Sequence, residues 1–165
     1  MARHIDLKAL GPLASIPYLF GVIGLLIGGW LGSGRLLNRC PELIVFTLVC
    51  QGLGLILAYQ AGSVAISLVG LSTAAFFMFA ATGPIGKVLL DHAPVRQRGA
   101  FVGIYNTAGH LGGAAAPAAI GGLVSWSGTF AAGFGLMITG LCVGAIAILV
   151  VSSFQRQRMV PVAPV

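Results

Sequence analysis

Charge is what this sequence holds least of. Asp and Glu number three in 165 residues, and the four charged residue types together make up 7% of the chain, against roughly a quarter in a soluble domain. That shortage excludes an ordinary water-soluble fold. Cysteine is scarce too: Cys40, Cys50 and Cys142 have no metal-ligand spacing and no disulfide framework, so they read as packing residues or thiols. There is no paired nucleophile and base, no metal-ligand cluster and no phosphate-cradling loop, and the scattered Ser and His residues match no catalytic spacing. These absences argue against an enzyme and imply no cofactor and no metal. The net charge of +6 comes without aromatic interleaving or a reader motif, so nucleic acid is not an implied partner.

What is present is apolar. Hydrophobic residues make up 58% of the chain and the mean hydropathy is +1.01. In a bilayer only helices and closed barrels satisfy every backbone group, and long apolar runs point to helices. The expectation is an all-α polytopic membrane protein with about five spans of about 20 residues each. Residues 1–12, with Arg3, His4, Asp6 and Lys8, read as an extracytoplasmic segment. Residues 13–154 read as a five-helix transmembrane domain, and 155–165 as a cytoplasmic tail. The spans are expected at 13–31, 43–59, 64–84, 99–123 and 130–154. Residues 91–99, DHAPVRQRG, read as a charged, solvated loop that contains His92.

Within the first span Gly24, Gly28 and Gly32 recur every fourth residue, the spacing that lets a second backbone approach. Pro41 and Glu42 make a good start for the second span, whose one strongly polar interior side chain is Gln51. An interhelical hydrogen bond is the favoured use of Gln51, with substrate contact the lesser one. The aromatic group Phe76, Phe77 and Phe79 reads as helix packing or lipid contact, and Trp30 and Trp126 suit the interface.

The stretch 99–123, GAFVGIYNTAGHLGGAAAPAAIGGL, reads as the segment around which the other spans are organised. At about 100° per residue, Gly99, Gly103, Asn106, His110, Gly113 and Pro117 share one stripe, with Tyr105, Gly109, Gly112 and Ala116 beside it. Polar side chains in a lipid-facing helix are costly, so this helix is expected to face protein or a water-filled path. A tightly packed helix and a substrate-lining helix both fit that pattern. Pro117 invites a kink.

The run RGAFVGIYNTAGHLGGAAAPAAIGG, with the preceding GPIGKVLLDHAP, resembles helices ten and eleven of major facilitator transporters. The likeness is to the anion:cation symporter group, which carries sugar acids and other organic anions. Asn106, Gly109, Gly112, Gly113, Pro117 and Gly121 match that group's usual wording, and His110 stands where it more often has Asn. Gly28, Gly29, Trp30 and Leu31 match its junction between helices eight and nine, although the customary acidic residue is replaced near Ser33 and Gly34. The resemblance implies helices eight to twelve of such a transporter, with the seventh helix and the first half supplied by a missing N-terminal part or a partner chain. It implies a small organic anion as substrate and a proton as coupling ion. Asn106, Tyr105, His110 and, more distantly, Tyr18 are then the substrate-binding candidates. Gly24, Gly28, Gly109, Gly112, Gly113 and Pro117 are the packing and conformational ones.

Lys and Arg set the expected sidedness. Arg35, Arg39, Lys87, Arg96, Arg98, Arg156 and Arg158 fall on one side of a five-span arrangement, and Arg3 and Lys8 on the other. By the positive-inside tendency the larger group is cytoplasmic, so the expected location is the inner (plasma) membrane with the N-terminus outside. A reading from another class is a small helical membrane subunit or scaffold that pairs with a second chain through its glycine faces. On the first reading the fragment alone is not expected to transport, whereas the second needs no missing half.

Overall fold

The computed structural model describes residues 7–33 and 39–158, and side chains over 11–33 and 39–153. Six α-helices follow one another: α1 (Leu7–Ser33), α2 (Cys40–Gln60), α3 (Val64–Ala80), α4 (Thr82–His92), α5 (Arg98–Ser127) and α6 (Phe130–Arg158), with a 3-10 turn at Val95–Gln97 before α5. Four helical stretches are long and apolar enough to cross a membrane: Gly11–Ser33, Cys40–Gln60, Val64–His92 and Phe130–Ser153. The expected fifth span is present as α5, which at 30 residues has the length. Its glycines and polar side chains, Asn106 and His110 among them, keep it out of the four that also meet the test of apolarity.

Several expected bounds shift. The first helix begins at Leu7 and runs through Pro12 and Pro17, so half of the segment 1–12 is helical and residues 1–6 lie outside the described ones. The tail shifts likewise, because α6 continues to Arg158 and 159–165 lie outside. The third span does not give way to a loop: α4 carries the chain on to His92, whose ring Nδ1 lies 2.6 Å from the Val88 carbonyl oxygen. The charges of this segment are compatible with helix because Lys87 pairs with Asp91 one turn away.

Pro84 explains why α3 and α4 are two helices. A proline has no N–H for the carbonyl four residues back, which here belongs to Ala80. Hydrogen bonds continue around that point, from Ala81 N to Phe77 O at 3.1 Å and from Ile85 N to Ala81 O at 2.9 Å. The ladder therefore loses one rung without the chain leaving a helical course.

The centre of the bundle is α3, flanked by α1 on one side and α2 on the other. Along α1, a Cβ at Gly24 would collide with the Phe76 carbonyl and one at Gly28 with the Ala80 carbonyl, while one at Gly32 would lie 3.0 Å from Pro84 N. Gly24 and Gly28 thus lie against the backbone of α3. On the other flank, a Cβ at Gly70 would stand 2.6 Å from Ala58 N, and one at Gly54 2.8 Å from Gly70 O. Association in lipid depends on packing rather than on a hydrophobic drive, and these glycines bring backbones into contact. Cys40, Ile44, Thr47, Ala58, Ala74, Ala80 and Pro84 are buried around them. Phe46 meets Phe77 edge to face, ring centroids 5.9 Å apart.

The organising role expected of 99–123 therefore belongs to α3. Helix α5 has no buried residue and packs on α6 and α4 at its edge, with Gly133 of α6 making room for Ile120. It is unbroken through Pro117, and it ends on Gly128, whose φ of 70° is the left-handed cap a glycine tolerates. At the opposite turn, Ser63 caps α3 by accepting a hydrogen bond from Ile66 N at 3.2 Å. Ser63→Ala is expected to lower stability by about 1 kcal/mol, read as a small fall in the melting temperature of the detergent-solubilised chain.

Candidate functional site

Two places in the structure offer chemistry, and they are separate. One is a cavity of ≈ 860 Å³ between α1, α2, α3 and α6. It is created by geometry: α1 and α2 close tightly on α3 through glycines, and α6 reaches the group through α2. Leu13, Pro17, Leu71, Met78, Phe79 and Met137 are among its walls, and its polar side chains are Tyr18, Gln51 and Ser67. Ser67 donates to the Ala58 carbonyl at 3.4 Å. Among the described residues no charged side chain lines the cavity, so its described walls suit an apolar or uncharged body with one or two hydrogen-bonding groups.

The other place is the outer surface of α5. Tyr105, Asn106 and His110 are exposed there, and no described residue hydrogen-bonds their side chains. Around them, no atom lies within 4 Å of where a Cβ would stand at Gly103, Gly109, Gly112 or Gly113. Whatever packs on this glycine stripe lies outside the described residues. Unpartnered polar groups on a helix of membrane-crossing length need water, a ligand or another helix.

The four substrate-binding candidates are thus divided. Tyr18 lines the cavity, while Tyr105, Asn106 and His110 stand together on α5 and contribute nothing to it. Gln51 joins Tyr18 in the cavity wall, a place that the sequence reading did not assign to it. The signal for it was there, since Gln51 is the strongly polar side chain of an otherwise apolar span.

Comparison with known proteins agrees with the helical architecture. The chain is 30% identical over 150 residues to a quinolone resistance transporter of Acinetobacter baumannii, an alignment covering 90% of this chain and 34% of that protein. It is 28% identical over 172 residues to the probable galactarate/D-glucarate transporter GudP of Escherichia coli (strain K12), covering 98% of this chain and 37% of the relative. The chain spans about a third of the length of these curated relatives. No solved structure matches. The model of the Major Facilitator Superfamily matches residues 1–162. With that match over nearly its whole length, and with apolar helices suited to crossing a membrane several times, the chain belongs to the Major Facilitator Superfamily of membrane transporters.

Proposed function

We propose that the chain forms part of a secondary transporter that moves a small organic anion, such as a sugar acid, with proton coupling. The observation that carries this reading is the set of Tyr105, Asn106 and His110 on α5, polar, exposed and without side-chain hydrogen-bond partners among the described residues. The similarity to a galactarate/D-glucarate transporter supports the class of substrate. In this reading Asn106 donates to a carboxylate or hydroxyl oxygen, Tyr105 adds a phenolic donor, and His110 borders the path. Tyr18 lines the separate cavity and stands apart from this group.

In this reading the remaining helices supply the counter-charge for the anion and the proton carrier, because Lys87 is already paired with Asp91 and the other described Lys and Arg residues stand at helix ends or in turns. Major facilitator transport works by rocking two halves around a central site, so the glycine stripe of α5 is where the rest of the transporter packs. A small subunit that meets a separate chain through the same stripe is the second reading, favoured by the empty space over Gly109, Gly112 and Gly113. Sidedness follows the charges: Arg39, Lys87, Arg96 and Arg98 gather at the end where Gly32 meets Pro84. That end is cytoplasmic in this reading.

The test is uptake of labelled D-glucarate by vesicles carrying this chain together with the rest of its transporter. Uptake above control vesicles, abolished by a protonophore, is expected, and the chain alone is expected to give none. Uptake indifferent to organic acids as competitors would overturn the substrate class, and uptake indifferent to the protonophore would overturn the coupling.

A further inference from the structure

The corner between α4 and α5 is built to meet a negatively charged surface. Ala93 is buried and anchors the chain just past the end of α4, after which residues 94–100 are all exposed. The turn has a fixed course, because Gln97 N donates to the Pro94 carbonyl at 2.8 Å. It presents Arg96 and Arg98 on either side of Gln97, next to Val95, which is 76% exposed. The acidic side chain nearby in sequence, Asp91, is already paired with Lys87. Neither arginine has a carboxylate partner among the described residues. The stretch Val64–His92 is long and apolar enough to span, and the turn begins where it ends, which in a bilayer would set the two arginines near the headgroups.

We propose that this corner binds an anionic phospholipid headgroup, with Arg96 and Arg98 on the phosphate and Val95 in the adjoining acyl region. Guanidinium groups match phosphate oxygens in a two-pronged geometry, and an exposed aliphatic side chain beside them has a use at a bilayer boundary that it lacks in water. Charge complementarity selects the occupant. A zwitterionic headgroup brings its own cation and gains little from two arginines, whereas phosphatidylglycerol brings none.

The test is native mass spectrometry of the detergent-solubilised chain titrated with short-chain phosphatidylglycerol or phosphatidylcholine. Phosphatidylglycerol is expected to be retained in preference to phosphatidylcholine, with a loss of about fivefold in apparent affinity for each arginine changed to Gln. Arg96→Lys with Arg98→Lys keeps the charge and is expected to retain part of the preference, which separates binding from any disturbance of the fold. Raised ionic strength is expected to shrink it. Equal retention of the two lipids by the unaltered chain, or undiminished phosphatidylglycerol binding in the double Gln variant, would overturn the proposal. Displacement by inorganic phosphate, where chloride of equal ionic strength has no effect, would assign the corner to a free anion and overturn it as a lipid site. None of these outcomes depends on what the transporter carries.

Discussion

Gly28→Val is expected to abolish or severely weaken the packing of α1 on α3, while Gly29→Val one residue away leaves it nearly intact. The two glycines have the same helical context and differ in what faces them. A Cβ at Gly28 would run into the Ala80 carbonyl and the Ala80 Cα, whereas one at Gly29 meets nothing within 4 Å. Overpacking generally costs about 1–3 kcal/mol when side chains can shift. Here the obstacle is backbone, held by the α3–α4 joint at Pro84 and backed by the second contact of Gly83 with Gly28. The cost is therefore placed at or above the top of that range. Thermal melting in detergent, followed by circular dichroism with size-exclusion chromatography of the same samples, reads the difference. Gly28→Val should melt well below the parent or elute as aggregate, and Gly29→Val should stay close to the parent, as open-surface substitutions do. Matching melts for the two variants would mean that α1 does not close on α3 as described.

Asn106→Ala is the change with the largest expected effect on transport. Asn106 is exposed on α5 and is hydrogen-bonded by no described side chain, so its removal takes away no contact that holds the bundle together. Membrane insertion and melting should be unchanged. If the amide donates to a carboxylate in transit, the lost interaction is of the order of 1.5–3 kcal/mol, or roughly tenfold to a hundredfold in D-glucarate uptake. Tyr105→Phe removes a hydroxyl and keeps the ring, and a smaller loss of about fivefold is expected, the middle of the range for a neutral hydrogen bond. His110→Asn installs the side chain that the related wording favours and is expected to leave uptake near the parental rate. Initial rates at equal amounts of protein in the membrane decide the series. Full uptake by the Asn106→Ala transporter would remove Asn106 from the site, whatever the stability data say.

The contrast between these two experiments follows from how the residues are seated. Gly24 and Gly28 were legible as packing positions because a four-residue repeat of the smallest side chain has one common use in a membrane helix. Gly109, Gly112 and Gly113 follow a similar logic, yet nothing in the described chain approaches them. Spacing says that a backbone can come close and not whether one does. For the same reason the polar content of 99–123 suggested a central helix, while the centre is held by α3, whose Gly70, Ala74 and Ala80 carry no polar signal at all. Asp91 and His92 looked like loop because charge disfavours hydrocarbon, but Asp91 pairs with Lys87 and the His92 ring meets the Val88 carbonyl along one helix, and α4 extends to His92.

Composition and hydrophobic length by themselves determined that the chain is helical, that it belongs in a membrane and roughly where each helix runs, because these depend on solvent and backbone hydrogen bonding. Its family resemblance was also legible in the sequence, in the order of Asn, Gly and Pro along one helix. Tertiary structure decided which helices touch, that Gln51 and Tyr18 share a cavity, and that the polar residues of α5 take no part in its walls. Contacts between helices depend on relative position and rotation, which the local sequence of any one helix leaves free until its neighbours close on it.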